Sequence, residues 1–91
     1  AMAAMTNTGD SLIGSLCRDM AAVRQHWLQL KGQRAVCRDD RLRLRLGRET
    51  CRLEQRRLEL QRQARALTRL PLRDPLGVAF LLEITSRPLA A

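Results

Sequence analysis

The sequence predicts an all-α protein: an antiparallel helical hairpin or coiled coil with a short third helix, self-associated as an oligomer. Three observations support this prediction. Leucine and alanine dominate the apolar residues while β-branched residues are few, which favours helix over sheet. Apolar residues recur at steps of three and four through two long stretches. No proline interrupts residues 1–70.

The first helix is predicted over residues 10–31. Its apolar side chains follow one another at steps of four, four, three, four and three, which keeps them within one narrow stripe. They are Leu12, Leu16, Met20, Val23, Trp27 and Leu30. Asp10 or Ser11 is the expected N-cap, because either side chain accepts hydrogen bonds from the free amides of a first turn. Residues 1–9 are polar, so we expect a flexible tail there.

A turn is expected within residues 32–39. Gly32 weakens the helix, the apolar stripe is interrupted after Lys31, and Asp39 or Asp40 supplies a second N-cap. Folding back at this point gives the hairpin. One continuous helix of about sixty residues stays open as an alternative, and it would need a second chain to cover its apolar seam.

The second helix is predicted over residues 40–70. Its leucines repeat every seven positions, the pattern of a helix that lays one seam against another helix. This leucine seam consists of Leu46, Leu53, Leu60 and Leu67. Residues 41–46 (RLRLRL) alternate like a strand, but no partner strand is available in the sequence, and we assign them to the helix. Gly47 is expected to mark a bend or the close approach of another backbone.

Pro71 ends the second helix, because the residue before a proline is pushed out of helical conformation. A third helix is predicted over residues 75–87, with Asp74 as N-cap and Pro75 at the first helical position, where its missing N–H costs nothing. It is apolar nearly all round and should be buried, either over the open end of the hairpin or in a dimer interface. All three helices are assigned to one domain, residues 10–91.

The leucine seam, together with Trp27, is the candidate site for self-association or partner binding. The pattern favours core packing against the first helix for the seam, with Trp27 as an anchor of that core, over a dimer zipper. A smaller stripe of Leu44, Cys51 and Leu58 lies on another face of the second helix. A helix with two apolar faces belongs in a bundle or an assembly, so we expect another protein chain or a second copy as partner.

Arginine supplies almost all of the formal charge of +8, since Lys31 is the single lysine. Five arginines step along one face beside the leucine seam. This arginine stripe consists of Arg41, Arg45, Arg48, Arg52 and Arg56. Like charges at helical neighbour spacing repel one another, and an anionic partner would relieve that repulsion. An acidic protein, a nucleic acid or an anionic membrane surface would fit, while a solvated helix face would show the same pattern.

The cysteine and histidine patterns indicate neither a metal site nor a catalytic one. Cys17, Cys37 and Cys51 are odd in number and lack CxxC spacing, so we expect no disulfide framework and no zinc site. His26 has no second histidine beside it. The sequence contains no recognisable nucleophilic triad, P-loop or carboxylate pair, so we expect no enzyme, no cofactor and no small-molecule substrate.

The expected compartment is the reducing interior of a cell, either the cytoplasm or the nucleus. We see no secretory signal, and no stretch reaches about 18 uninterrupted apolar residues, so we expect no membrane span.

The predicted function is interaction with another chain. The protein would be a small adaptor, chaperone-like or assembly subunit that docks its partner through leucine and arginine faces. The alternative is a basic helical protein that binds nucleic acid through the arginine stripe and dimerises through the leucine seam. Against the alternative stands the scarcity of aromatic residues to stack on bases, since the sequence holds only Trp27 and Phe80.

Overall fold

A computed structural model describes residues 8–71 and 74–90. Over these residues the chain forms three helices and no strand, which confirms the all-α prediction. Helix α1 spans Thr8–Val36, α2 spans Asp40–Leu67 and α3 spans Pro75–Ser86.

Helix α1 begins earlier than the sequence pattern predicts. It already includes Thr8, so the prediction of Asp10 or Ser11 as N-cap is wrong. The start is weakly encoded because residues 6–11 (TNTGDS) are all small or polar, and most of them are residue types that can cap a helix. Of the predicted flexible tail, residues 1–7 lie outside the described residues.

The chain reverses at residues 37–39, inside the predicted turn, and α1 and α2 pack as an antiparallel hairpin. Asp19 in the first half of α1 pairs with Arg56 (3.5 Å), whereas Arg34 near its end lies against Gly47. Helix α1 continues through Gly32, five residues beyond the predicted end at residue 31. A glycine inside a helix costs only about 1 kcal/mol, which does not stop a helix that already packs along one side.

Helix α2 starts where the sequence predicts and ends three residues early. Asp39 is its N-cap: Oδ1 accepts hydrogen bonds from the amides of Arg41 (2.9 Å) and Leu42 (3.3 Å). The RLRLRL segment is helical, as predicted. After Leu67 the amides of residues 68–70 each donate to the carbonyl three residues back, which tightens the last turn and ends the α-helix.

The core lies where the three helices meet. It is built from buried apolar side chains of each helix and of the segment after α3. Its members are Ile13, Leu16, Met20, Val23, Leu60, Ala64, Leu67, Val78, Leu81 and Leu89. Helix α3 packs against both long helices across the open end of the hairpin, which was one of its two predicted positions.

Asp74 caps α3 as predicted, because its Oδ1 accepts a hydrogen bond from the amide of Gly77 (2.9 Å). The predicted burial of α3 holds for one side of the helix, where Val78, Leu81 and Thr85 are buried, and is wrong for the other. Leu76 is 80% exposed and Phe80 57%, since two helices cover only one side of a third.

The molecule is elongated, with extents of 54 × 25 × 15 Å. The end of the hairpin around the turn, residues 31–48, is termed the tip, and the part of the hairpin on which α3 packs is termed the base. No helix within the described ranges 8–71 and 74–90 is long and apolar enough to cross a membrane.

Candidate interaction surface

The predicted leucine seam is used inside the chain. Leu60 is fully buried, Leu67 is 4% exposed and Leu46 8% exposed, while Leu53 packs half-buried against the core. Trp27 also packs against the core and keeps part of its side chain accessible. While the hairpin is closed, little of the seam is therefore available to a second chain.

The arginine stripe divides into two halves. In the half nearer the base, Arg52 forms an ion pair with Glu49 (2.7 Å). Arg56 pairs with Glu59 on its own helix (3.1 Å) and with Asp19 of α1 (3.5 Å). These positive charges are thus balanced by local carboxylates.

The half of the stripe in the tip lacks such partners. Arg41, Arg45 and Arg48 are exposed and form no ion pair with any residue in the described part of the chain. The tip holds seven basic residues and two acidic ones, so five of the eight net positive charges lie there. One of the two carboxylates, Asp39, is engaged in capping α2. The tip therefore carries more net positive charge than the rest of the chain together.

The side of α2 that faces away from α1 carries a second heptad pattern, termed here the outer face. Its six residues follow at alternating steps of four and three, and all six are exposed. They are Leu44, Arg48, Cys51, Gln55, Leu58 and Arg62. Leu44 is 64% exposed and Leu58 39%, so no other part of the described chain covers this stripe.

Sequence reasoning missed Arg57, which is only 6% exposed. Its guanidinium donates to Glu54 (Nε to Oε1, 2.7 Å) and to the carbonyl oxygen of Thr85 at the end of α3 (2.6 Å). The other carboxylate oxygen of Glu54 accepts from the amide of Leu89 (3.2 Å). A signal was present, because Arg57 falls within about twenty degrees of Leu46 on a helical wheel, inside the buried stripe.

Arg24 of α1 also helps to hold the C-terminal end of α3 against the hairpin. It donates to the carbonyl oxygens of Ile84 (3.1 Å) and Arg87 (3.2 Å). Arginines from two helices thus satisfy carbonyls at the C-terminus of α3, where the helix dipole also favours positive charge. The hydrogen bonds from Arg57 hold the pKa of Glu54 below its usual value, against desolvation, which acts to raise it.

The cysteines are free thiols in three different environments. Cys17 is half-buried against the core, and burial raises the pKa of its thiol although the charge of Arg18 acts to lower it. Cys51 is exposed in the middle of the outer face. In the part of the chain that the structure describes, no group of histidine, cysteine and acidic side chains is placed to hold a metal ion.

Comparison of the chain with models of known families, with characterised proteins and with solved structures finds no match. Over residues 8–71 and 74–90, three helices form a closed core at one end and a basic tip at the other.

Proposed function

We propose that the protein is an interaction module, an adaptor, chaperone-like or assembly subunit that docks a helix of another protein on the outer face of α2. The observation that carries this proposal is the exposed heptad pattern of that face. Leu44 and Leu58 stand at positions from which a partner helix can bury them, in the manner of a coiled coil.

An acidic helix fits the chemistry of this face best. Arg48 and Arg62 alternate with the leucines, and Arg41 and Arg45 flank the tip half of the face without local carboxylates. Glutamates opposite these side chains would form exposed ion pairs worth up to about 1 kcal/mol each. Their main effect would be to set the orientation of the partner and to speed association.

A second copy of the chain fits this face less well. Helix α2 carries nine arginines against four acidic residues, a net charge of +5, so two outer faces would bring together two positive helices. A second copy of the chain is therefore the competing occupant of the outer face. An intracellular location stays a prediction from the odd number and the spacing of the cysteines.

The direct test uses a labelled helical peptide of about three heptads, with leucine at one seam position and glutamate at the other. Fluorescence anisotropy should show binding at about 100 mM salt that weakens as salt is added, because exposed charge pairs are screened. The matched control peptide, with lysine in place of every glutamate, should not bind.

Variants of the protein locate the binding to the outer face. Leu44→Asp and Leu58→Asp should abolish peptide binding while lowering the free energy of unfolding by only about 1 kcal/mol, because both side chains are exposed and the main cost is the poorer helix propensity of aspartate. The matched control is Leu76→Asp, which places the same charge on an exposed leucine of α3 and should bind the peptide like the unaltered protein.

Two results would contradict the proposal. One is unchanged peptide binding by Leu58→Asp. The other is a dimer in sedimentation equilibrium that Leu58→Asp dissociates, which would give the outer face to a second copy.

A further inference from the structure

An open cleft lies on one flank of the hairpin, between α1, α2 and the segment after α3. It encloses about 400 Å³, within the range of sites for small ligands. Three of its side chains are cationic, one is aromatic and none is acidic. The lining residues are Trp27, Lys31, Arg34, Ala35, Arg43, Thr50 and Ala90.

The guanidinium of Arg34 lies against α2 at Gly47. A Cβ atom added to Gly47 would lie 3.5 Å from Cζ of Arg34 and within 3.7 Å of both terminal nitrogens. The guanidinium therefore rests on α2 where that helix has no side chain. The close approach expected at Gly47 is thus made by an arginine side chain rather than by another backbone, and it holds a positive charge at the cleft.

Trp27 presents one surface of its ring to the same cleft. The ring packs against the core, yet Nζ of Lys31 lies over it, 5.2 Å from the ring centroid. This cation–π contact shows that the surface is open to a flexible side chain. The core fixes the ring, while a movable ammonium group covers it.

We propose that the cleft binds one nucleotide unit of a single-stranded nucleic acid. A base stacks on Trp27 in place of the Lys31 ammonium, which is then free to join Arg34 and Arg43 in contacting the phosphates. An acidic peptide would use the three cations but has no need of an accessible aromatic ring, so this combination of groups favours the nucleotide. The remaining charge of the tip attracts the neighbouring phosphates of the strand.

The cleft borders the outer face, because Arg34 and Thr50 also line a neighbouring groove with Leu44 and Cys51. Arg43 and Thr50 lie on the flank of α2 that faces the cleft, whereas Leu44, Cys51 and Leu58 lie on the side turned away from α1. Nucleotide binding adds an activity to the proposed docking of a protein helix, and Trp27 and Leu58 distinguish the two, because Trp27 lies in the cleft alone and Leu58 on the outer face alone.

Trp27 is the single tryptophan of the chain, so its fluorescence reports on the cleft directly. Titration with an oligothymidylate of about ten nucleotides at about 100 mM salt should quench this fluorescence, because a base covers the ring. Arg34→Gln and Arg43→Gln should each weaken binding about fivefold or more and should each lower the slope of log affinity against log salt by about 0.7.

The matched controls are Arg52→Gln and Arg56→Gln, which remove the same charge from the opposite flank of α2 and should change the affinity less than about twofold. Inorganic polyphosphate of equal charge tests whether the base contributes to binding, because it supplies phosphates without bases. Polyphosphate should bind more weakly than oligothymidylate and should leave most of the Trp27 fluorescence unquenched. Trp27→Leu, followed with a labelled strand, should weaken binding of oligothymidylate but not of polyphosphate, and Trp27→Phe should restore part of the loss.

Several results would overturn the inference. One is the absence of quenching by oligothymidylate up to about 100 μM. Another is an equal loss of affinity in Arg34→Gln and Arg52→Gln, which would mean diffuse attraction to the whole tip. Polyphosphate that binds as tightly as the oligonucleotide would assign the cleft to phosphate alone. If the acidic peptide displaces oligothymidylate and restores the Trp27 fluorescence, the cleft would be assigned to a protein partner.

Discussion

In the base of the molecule three helices enclose ten buried apolar side chains, whereas in the tip two helices leave nearly every side chain of residues 31–45 exposed. Arginine is used differently in the two regions. Arg24 and Arg57 are drawn into the base and satisfy the C-terminal carbonyls of α3, while Arg41 and Arg45 in the tip have no ion-pair partner among the described residues. The role of an arginine here depends on how many helices surround it.

The first test of this contrast compares two leucines of α2 that are two residues apart. Leu60 is fully buried in the base, and Leu58 is 39% exposed on the outer face. Leu60→Ala should lower the free energy of unfolding by about 2–5 kcal/mol, because it leaves a cavity in the core. Leu58→Ala should cost less than about 1 kcal/mol. Urea denaturation of both variants measures the difference, and equal losses would contradict the assignment of the two faces.

The second test compares two arginines of α2. Arg57→Ala should lower the free energy of unfolding by about 1–3 kcal/mol, because it leaves the buried carbonyl of Thr85 without its donor. Arg52→Ala removes an ion pair whose arginine side chain is 73% exposed, and should cost a few tenths of a kcal/mol.

Hydrogen exchange of the α3 amides adds a readout specific to docking. These amides should exchange faster in Arg57→Ala than in the unaltered protein, and their exchange rate should be unchanged in Arg52→Ala. If α3 stays equally protected in both variants, the arginine contacts do not hold it to the hairpin.

The smallest expected effects come from the glycines. A Cβ atom at Gly32 would meet nothing within 4 Å, and one at Gly47 would make only ordinary contact with Arg34. Gly32→Ala and Gly47→Ala should therefore each raise the free energy of unfolding by up to about 1 kcal/mol. Gly77→Ala is the matched control in α3, where the added atom would lie 2.9 Å from Cγ of Asp74 and 3.3 Å from Ile13, and it should destabilise.

Thermal unfolding followed by circular dichroism measures all three glycine variants. Gly32→Ala and Gly47→Ala should raise the melting temperature, whereas Gly77→Ala should lower it. A lower melting temperature for Gly32→Ala would mean that the tip is not helical at that residue.

Local features of the fold could be predicted from the sequence. Capping aspartates, a proline at the first helical position and the spacing of apolar residues act within a few residues, so Asp74 and most of the α1 stripe were predicted where the structure has them. Leu12 was wrongly placed in that stripe: it is 44% exposed, and the neighbouring Ile13 is buried in the core instead. Of the two aspartates predicted as possible caps of α2, Asp39 is the one used. The seven-residue repeat likewise predicted that Leu60 and Leu67 belong to an apolar seam.

The remaining features depend on contacts between distant parts of the chain. The repeat alone does not say whether the seam is covered by the same chain or by another one. The burial of Arg57 and the exposure of Phe80 both follow from where α3 docks, which no local pattern encodes. The cleft was missed for the same reason, since Trp27 and Arg43 meet only after the hairpin closes.

The central claim, that the outer face of α2 is the docking surface, is tested most directly by the thiol at its centre. Cys51 is exposed on that face, while Cys37 lies in the turn, outside it. The alkylation rates of both thiols can be measured by mass spectrometry with and without a saturating amount of the acidic peptide. Selective protection of Cys51, with the rate at Cys37 unchanged, is the predicted result. If Cys51 reacts equally fast while the peptide is bound, the partner docks elsewhere.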